Sequence, residues 1–205
     1  NLNVFYTESV MDELAHLAGQ DPLEYRLKLM PKSPKHRAVL EQVAKQAGWG
    51  RPLPEGRARG IAINDWFPAM QAKTVAAQVA EVSVSERGKL KVERVDCVVD
   101  CGLAVNPDSV RAQMEGSIIM GMSAALFERI TLEDGRVVQS NFDDYRIARM
   151  RDTPEINVTI VQSDAAPTGA GEVGTSPIVP AITNAIFAAT GVRLRRLPIG
   201  RQKLV

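Results

Sequence analysis

The chain has 205 residues, enough for one large domain or two small ones, with 45% hydrophobic residues, 24% charged residues and a formal net charge of +1. That composition excludes a disordered chain and a strongly basic, nucleic-acid-seeking one. No apolar run approaches the roughly 18 residues that span a bilayer, and the opening NLNVFYTESV lacks the basic-then-apolar layout of a signal peptide. Beginning with Asn rather than Met, the sequence reads as a piece of something longer.

TESVMDELAHLAG places Val10, Met11, Leu14, Leu17 and Ala18 at helical spacing, with Thr7 or Ser9 as N-cap and Gly19 as stop. DPLEYRLKLM starts a second helix, with Asp21 as N-cap and Pro22 at the first helical position. PKHRAVLEQVAKQAGWG predicts a third amphipathic helix ending at Gly48. The Pro- and Gly-rich GRPLPEGRARG then divides an N-terminal helical segment, residues 1–50, from an α+β portion, residues 51–205. From about Arg59 the period becomes that of strands. TVAAQVAEVSVSERGKLKVERVDCVVD predicts a hairpin around SERGK, with Gly88 supplying positive φ.

NPDSVRAQMEGSIIMGMSAALFERI returns to helix, capped by Asn106 or Asp108, and its Gly116 and Gly121 predict close packing against the helix backbone. Asp134-Gly135 signals a second hairpin, EINVTIVQ alternates as a strand, and a last helix is predicted from Ser176 to Thr190 with Gly191 beyond it. This order predicts an α+β fold, with mixed or antiparallel strands packed with helices, rather than a regular βαβ repeat.

Cys97 and Cys101 are the only cysteines. On a strand their Cα atoms lie roughly 13 Å apart, beyond the reach of a disulfide. With only the distant His16 and His36 they make a poor zinc set, so both are expected as buried thiols and no residue is assigned as a metal ligand.

TGAGEVGTS sets one carboxylate, Glu172, among Gly169, Gly171 and Gly174 just before an apolar helix. Glycines there let backbone approach a ligand, and the helix start favours negative charge. The residues alone leave two readings open: a buried base, or a solvated acid. The glycine spacing meets neither the phosphate-loop nor the dinucleotide pattern. Gln113 on RAQMEG can donate and accept at once, which suits a cofactor contact, although buried glutamines more often serve neighbouring backbone. Asp143, Asp144, Arg146 and Arg149 in SNFDDYRIARM read as a surface ion-pair network. The basic tail with Arg193, Arg195, Arg196, Arg201 and Lys203 lacks the aromatics of a nucleic-acid surface and reads as solvated or subunit-contacting.

Taken together, VDCGLAVNPDSVRAQMEGSIIMGMSAALFERITLEDGRVVQSNFDDYRIARM, PEINVTIV and GAGEVGTSPIVPAITNAIFAATGVRLRRLPI resemble the C-terminal part of the molybdopterin-binding large subunit of the xanthine dehydrogenase and aldehyde oxidase family. The nearest branch is the isoquinoline 1-oxidoreductase β-subunit type. ESVMDELAHLAGQDPLEYRLKLM and GRARGIA resemble the same subunits, so the likeness covers essentially the whole chain. It implies an aldehyde-oxidase-type cofactor-binding domain and a molybdopterin with molybdenum, in this branch usually the cytosine dinucleotide form. It further implies Glu172 as general base, Gln113 and Gly171 at the cofactor, and hydroxylation of an aldehyde or N-heteroaromatic with water-derived oxygen.

The family's other glycine-rich segment has no counterpart here, so the remainder of the molybdenum-binding subunit is an expected partner. Two cysteines cannot hold an iron–sulfur cluster that takes four ligands, which places a [2Fe-2S] centre on a partner electron-transfer subunit. No nucleic-acid partner and no transmembrane segment is expected; a soluble protein is expected, and the sequence does not choose between bacterial cytoplasm and periplasm. Two other readings stand beside this one: a non-catalytic scaffold or assembly module of the same fold, and a nucleotide-binding module built on the glycine loop.

Overall fold

The computed structural model describes residues 2–66, 73–200 and 202–205. Its centre is a four-stranded sheet of β1 (Arg57–Trp66), β2 (Thr74–Val84), β3 (Leu90–Asp100) and β6 (Glu155–Ile160), in the spatial order β1-β2-β3-β6. The first three strands are antiparallel neighbours, and β6 joins β3 in parallel, so the sheet is mixed. Around it stand α1 (Leu2–Leu17), α2 (Pro22–Leu29), α3 (Pro34–Ala47), α4 (Pro107–Leu126) and α5 (Ile178–Thr190). A small hairpin of β4 (Leu132–Glu133) and β5 (Arg136–Val137) follows α4. The fold is α+β.

Helices cover both faces of the sheet. On one face Val39, Leu40, Val43, Ala44 and Ala47 of α3 pack on Ile61, Ile63, Val75, Ala77, Val79 and Val98. On the other, Met114, Ile118 and Met122 of α4 and Ile178, Ile182 and Ile186 of α5 pack on Ala62, Ala76, Ala80, Cys97 and Val99. Each large aliphatic chain so buried contributes roughly 1.5–3 kcal/mol. Coverage on both sides is why β2 reads as a nearly continuous apolar run instead of alternating.

Most predicted elements stand where the sequence places them. Asp21 caps α2 by accepting from Leu23 N and Glu24 N. Gly48 ends α3 in the left-handed region at φ 66°. Asn106, not Asp108, caps α4 by accepting from Ser109 N at 3.1 Å. Asp134 and Gly135 turn the small hairpin with φ values of 49° and 76°.

Four expectations need correction. Thr7 and Ser9 do not cap α1, which begins at Leu2. Phe5, buried to 5% exposure, extends its packed face backwards, and the Thr7 hydroxyl donates to the Asn3 carbonyl inside the helix. The strand β1 went unread because RARGIA carries a glycine beside a loop-like segment. Gly60 is there because α5 lies on it: a Cβ would sit 2.2 Å from Ala185 N and 2.3 Å from Ala181 O. Only Gly121 of the two α4 glycines meets a neighbour, its Cβ position lying 2.3 Å from Thr175 O, whereas Gly116 faces open space. Finally, α5 starts at Ile178, because residues 173–177 are spent in turns.

Two polar clusters fix the termini. Arg26, fully buried, donates from Nε to Glu8 Oε2 and from Nη2 to Glu8 O, both at 3.0 Å, while Ile63 N donates to the same carboxylate at 3.1 Å. In the tail, Arg193 pairs with Asp12 at 2.8 Å and lies over the Phe187 ring, and Arg195 pairs with Glu13 at 2.9 Å. The basic tail is thus partly tied to α1; Arg201 lies outside the described residues. Ile199 N and Gly200 N donate to the Ala125 and Leu126 carbonyls, satisfying the end of α4.

Asp144 does not pair with the arginines of its own loop. It accepts from Ser140 N and Asn141 N and holds a turn, while Arg146 lies 4.0 Å over the Phe127 ring.

Cys97 and Cys101 are free and buried. Burial pushes the Cys97 thiol from an ordinary 9.0 up to about 12. A group whose pKa is raised on folding contributes stability that is whole below its ordinary value and lost as pH rises toward the folded one. Above pH 9 this thiol is therefore expected to weaken the fold by about 1.4 kcal/mol per pH unit. Urea unfolding of wild type and Cys97→Ala between pH 8 and 11 measures it: the variant should show the shallower slope, and equal slopes would contradict the assignment.

Candidate functional site

The glycine loop crosses the same face of the sheet that carries α4 and α5. Thr74 and Gln78 are the polar side chains on that face of β2, interleaved with Ala76 and Ala80, and both are fully buried. Thr74 Oγ1 donates to Gly169 O at 2.6 Å and lies 2.6 Å from Thr168 Oγ1. Thr168 is tied in turn to the Cys101 carbonyl through its backbone N–H at 2.8 Å and its hydroxyl at 3.0 Å. The entry to the loop is thereby stitched to the ends of β2 and β3.

The exit is held differently. Gln78 Nε2 donates to Gly174 O at 2.8 Å, and Thr175 N donates to Glu172 O at 3.0 Å, closing a four-residue turn from Glu172 to Thr175. Val173, 1% exposed, points into the core. Gly174 has no room for a side chain, since a Cβ would lie 2.4 Å from Ser117 Oγ. The turn is thus fastened to the sheet and to α4 at its two inner residues, and Glu172 is presented at the surface.

Gln113 stands on α4 one residue before the buried Met114 and is exposed. It faces the loop: a Cβ on Gly171 would lie 4.0 Å from Gln113 Oε1 and within 4 Å of nothing else. The structure therefore brings Gln113 and Gly171 together, with Glu172 next in the chain on the same exposed loop. The glycines divide their roles. Gly174 permits close packing of loop on helix, and Gly171 keeps the space beside Gln113 clear. A cavity of about 540 Å³ lies elsewhere, beside the start of α4, lined by Leu103, Pro107, Arg111 and residues 158–164. Gln113, Gly171 and Glu172 do not line it.

Residues 7–154 match the molybdopterin cofactor-binding domain family. The chain belongs to that family. The match includes Gln113 and stops before Gly171 and Glu172. Across 95% of its length the chain is 40% identical to the β-subunit of the isoquinoline 1-oxidoreductase of Brevundimonas diminuta, and across 98% it is 38% identical to a nicotinate dehydrogenase subunit of Pseudomonas putida. It spans only 25% and 18% of those two relatives' own lengths. The aldehyde oxidoreductase of Desulfovibrio desulfuricans shares the fold at a TM-score of 0.76 and 17% identity, over 98% of this chain and 40% of that one.

Chemically, an exposed amide that can both donate and accept, beside a glycine backbone with no side chain in the way, is compatible with the amide-bearing pterin of such a cofactor. Sequence reasoning missed Thr74, Gln78 and Thr168 as parts of this arrangement. Two polar residues at i and i+4 on one face of an otherwise apolar strand were the available signal. Among the described residues no helix is long and apolar enough to cross a membrane.

Proposed function

We propose that this chain is part of the catalytic subunit of a molybdenum hydroxylase that oxidises an aldehyde or an N-heteroaromatic ring with oxygen from water. The cofactor would be molybdopterin in its cytosine dinucleotide form, held in part by Gln113 and by the backbone at Gly171. When bound, it supplies a metal that lowers the pKa of coordinated water and accepts the electrons. Glu172 Oε would serve there as the acceptor of the proton given up by that water. The fixed Glu172–Thr175 turn orients that carboxylate, and the remainder of the molybdenum-binding subunit completes the walls and excludes bulk water. Electrons would leave through a [2Fe-2S] centre on a partner subunit.

One observation carries this reading. A loop fastened at both ends by hydrogen bonds from the buried side chains Thr74 and Gln78 carries Glu172 next in the chain to Gly171, whose open side faces Gln113. A solvated helix-start acid needs no such fastening, and a scaffold module needs no clear space. Turnover of isoquinoline and benzaldehyde by the full complex in ¹⁸O-labelled water tests it, together with metal and pterin analysis. Label in the product and molybdenum bound with a cytosine dinucleotide pterin are expected. Unlabelled product, or a complex without molybdenum, would reject the proposal.

A further inference from the structure

Gln78 is an unusual residue to find where it is. It is fully buried in the middle of β2, between Ala76 and Ala80 and opposite Cys97, whose thiol shares a hydrogen bond with it. Its Nε2 donates to Gly174 O, and its amide oxygen has no hydrogen-bond partner among the described atoms. A buried acceptor left unpaired costs about 1–3 kcal/mol. A methionine of similar volume would remove that unpaired oxygen but leave the buried Gly174 carbonyl without its donor, so the structural work of the glutamine lies in its hold on the loop.

What the amide does accomplish is local. It holds the carbonyl of the third residue in the Glu172–Thr175 turn, while Val173 anchors the second residue in the core. With the second and third residues fixed, the first has little freedom, and that first residue is Glu172. Thr74, four residues earlier on the same strand face, fixes the loop's entry at Gly169. One rigid strand therefore sets both ends of the segment from Gly169 to Gly174.

We infer that Gln78 is a positioning residue for the reaction, fixing the direction of the Glu172 carboxylate through the Gly174 carbonyl without touching substrate or cofactor. The inference rests on the reading of Glu172 as the base. Displacing a reacting group by about 1 Å can cost 10²-fold in rate, and a single released turn is enough to produce that displacement.

The test uses the full complex carrying Gln78→Met, with isoquinoline and benzaldehyde as probe substrates. Hydrogen–deuterium exchange of the peptide covering residues 168–176 is measured alongside kcat and KM. Exchange should quicken about tenfold in that peptide alone. The value of kcat should fall about 10- to 100-fold, with KM changed less than about threefold.

Unchanged exchange in this peptide overturns the role whatever the activity does. Quickened exchange with kcat intact, in a protein whose Glu172→Gln variant is inactive, overturns it as well. A fully active Glu172→Gln variant sinks the base reading instead, and the exchange result then decides only whether Gln78 holds the turn. Should Gln78→Met fail to assemble, Gln78→Asn withdraws the amide by one methylene and is judged by the same readings.

Discussion

Replacing Glu172 by Gln in the full complex should lower kcat by about 10²–10⁴-fold, the range by which a positioned proton acceptor contributes. The substitution changes one atom and removes the ability to take a proton at neutral pH. It should leave the fold alone, because the Glu172 side chain is exposed and the turn is held through the Gly174 carbonyl, the Glu172 carbonyl and the Val173 side chain. Molybdenum and pterin content should match wild type. KM should change little, since an interaction made only during proton transfer does not hold substrate in the ground state. Turnover within about threefold of wild type, with cofactor fully loaded, would return Glu172 to the status of a solvated acid.

The largest expected loss of stability comes from a different place. Arg26→Met should destabilise the fold by about 3–5 kcal/mol, the usual consequence of stranding one half of a buried ion pair. The guanidinium is fully buried and makes three hydrogen bonds: two to Glu8, which join α1 to α2, and one within α2, at 2.9 Å, to the Pro22 carbonyl. Removing it leaves a carboxylate, 7% exposed, facing only the Ile63 N–H. Burial already holds the Glu8 carboxyl above its ordinary value of 4.5, outweighing the opposing pull of Arg26.

Without the arginine the Glu8 carboxyl rises further. A raised folded-state pKa means that stability is whole below the ordinary value and lost as pH climbs through the folded one. The deficit of Arg26→Met should therefore be smaller at pH 5 than at pH 7.5. Adding Glu8→Gln should recover much of it at pH 7.5, because the stranded charge is gone. Urea midpoints for the single and double variants at the two pH values decide the matter. A loss under about 1 kcal/mol, or one indifferent to pH, would mean that the pair is not a buried coupled unit.

Both predictions show where local pattern was informative. Asp21 before Pro22, Gly48 after Ala47 and Asn106 before Pro107 could be read as helix boundaries because capping is a contact between residues two or three apart. The two hairpins were legible for the same reason, since Gly88, Asp134 and Gly135 announce φ values that few residues adopt. Ser9, by contrast, looked like a cap and is a buried residue inside α1, because Phe5 upstream found a place in the core. Gly60 looked like part of a loop and is a strand residue whose missing side chain admits α5.

The candidate site divides along the same line. Glu172, Gly171 and Gln113 stood out as residue types whose chemistry suits a base, a close backbone approach and an adaptable amide, and the resemblance of the surrounding segments gave them a common purpose. The apolar runs, the turn residues and the caps were sufficient to determine an α+β chain, because each is a short-range consequence of side-chain shape and backbone freedom. Only the tertiary structure decided that Gln113 faces Gly171, 58 residues away in the chain, and that Thr74 and Gln78 hold the loop between them. Those contacts depend on how β2, α4 and the loop stack across the sheet, and stacking is fixed by the whole packed core rather than by any one segment of sequence.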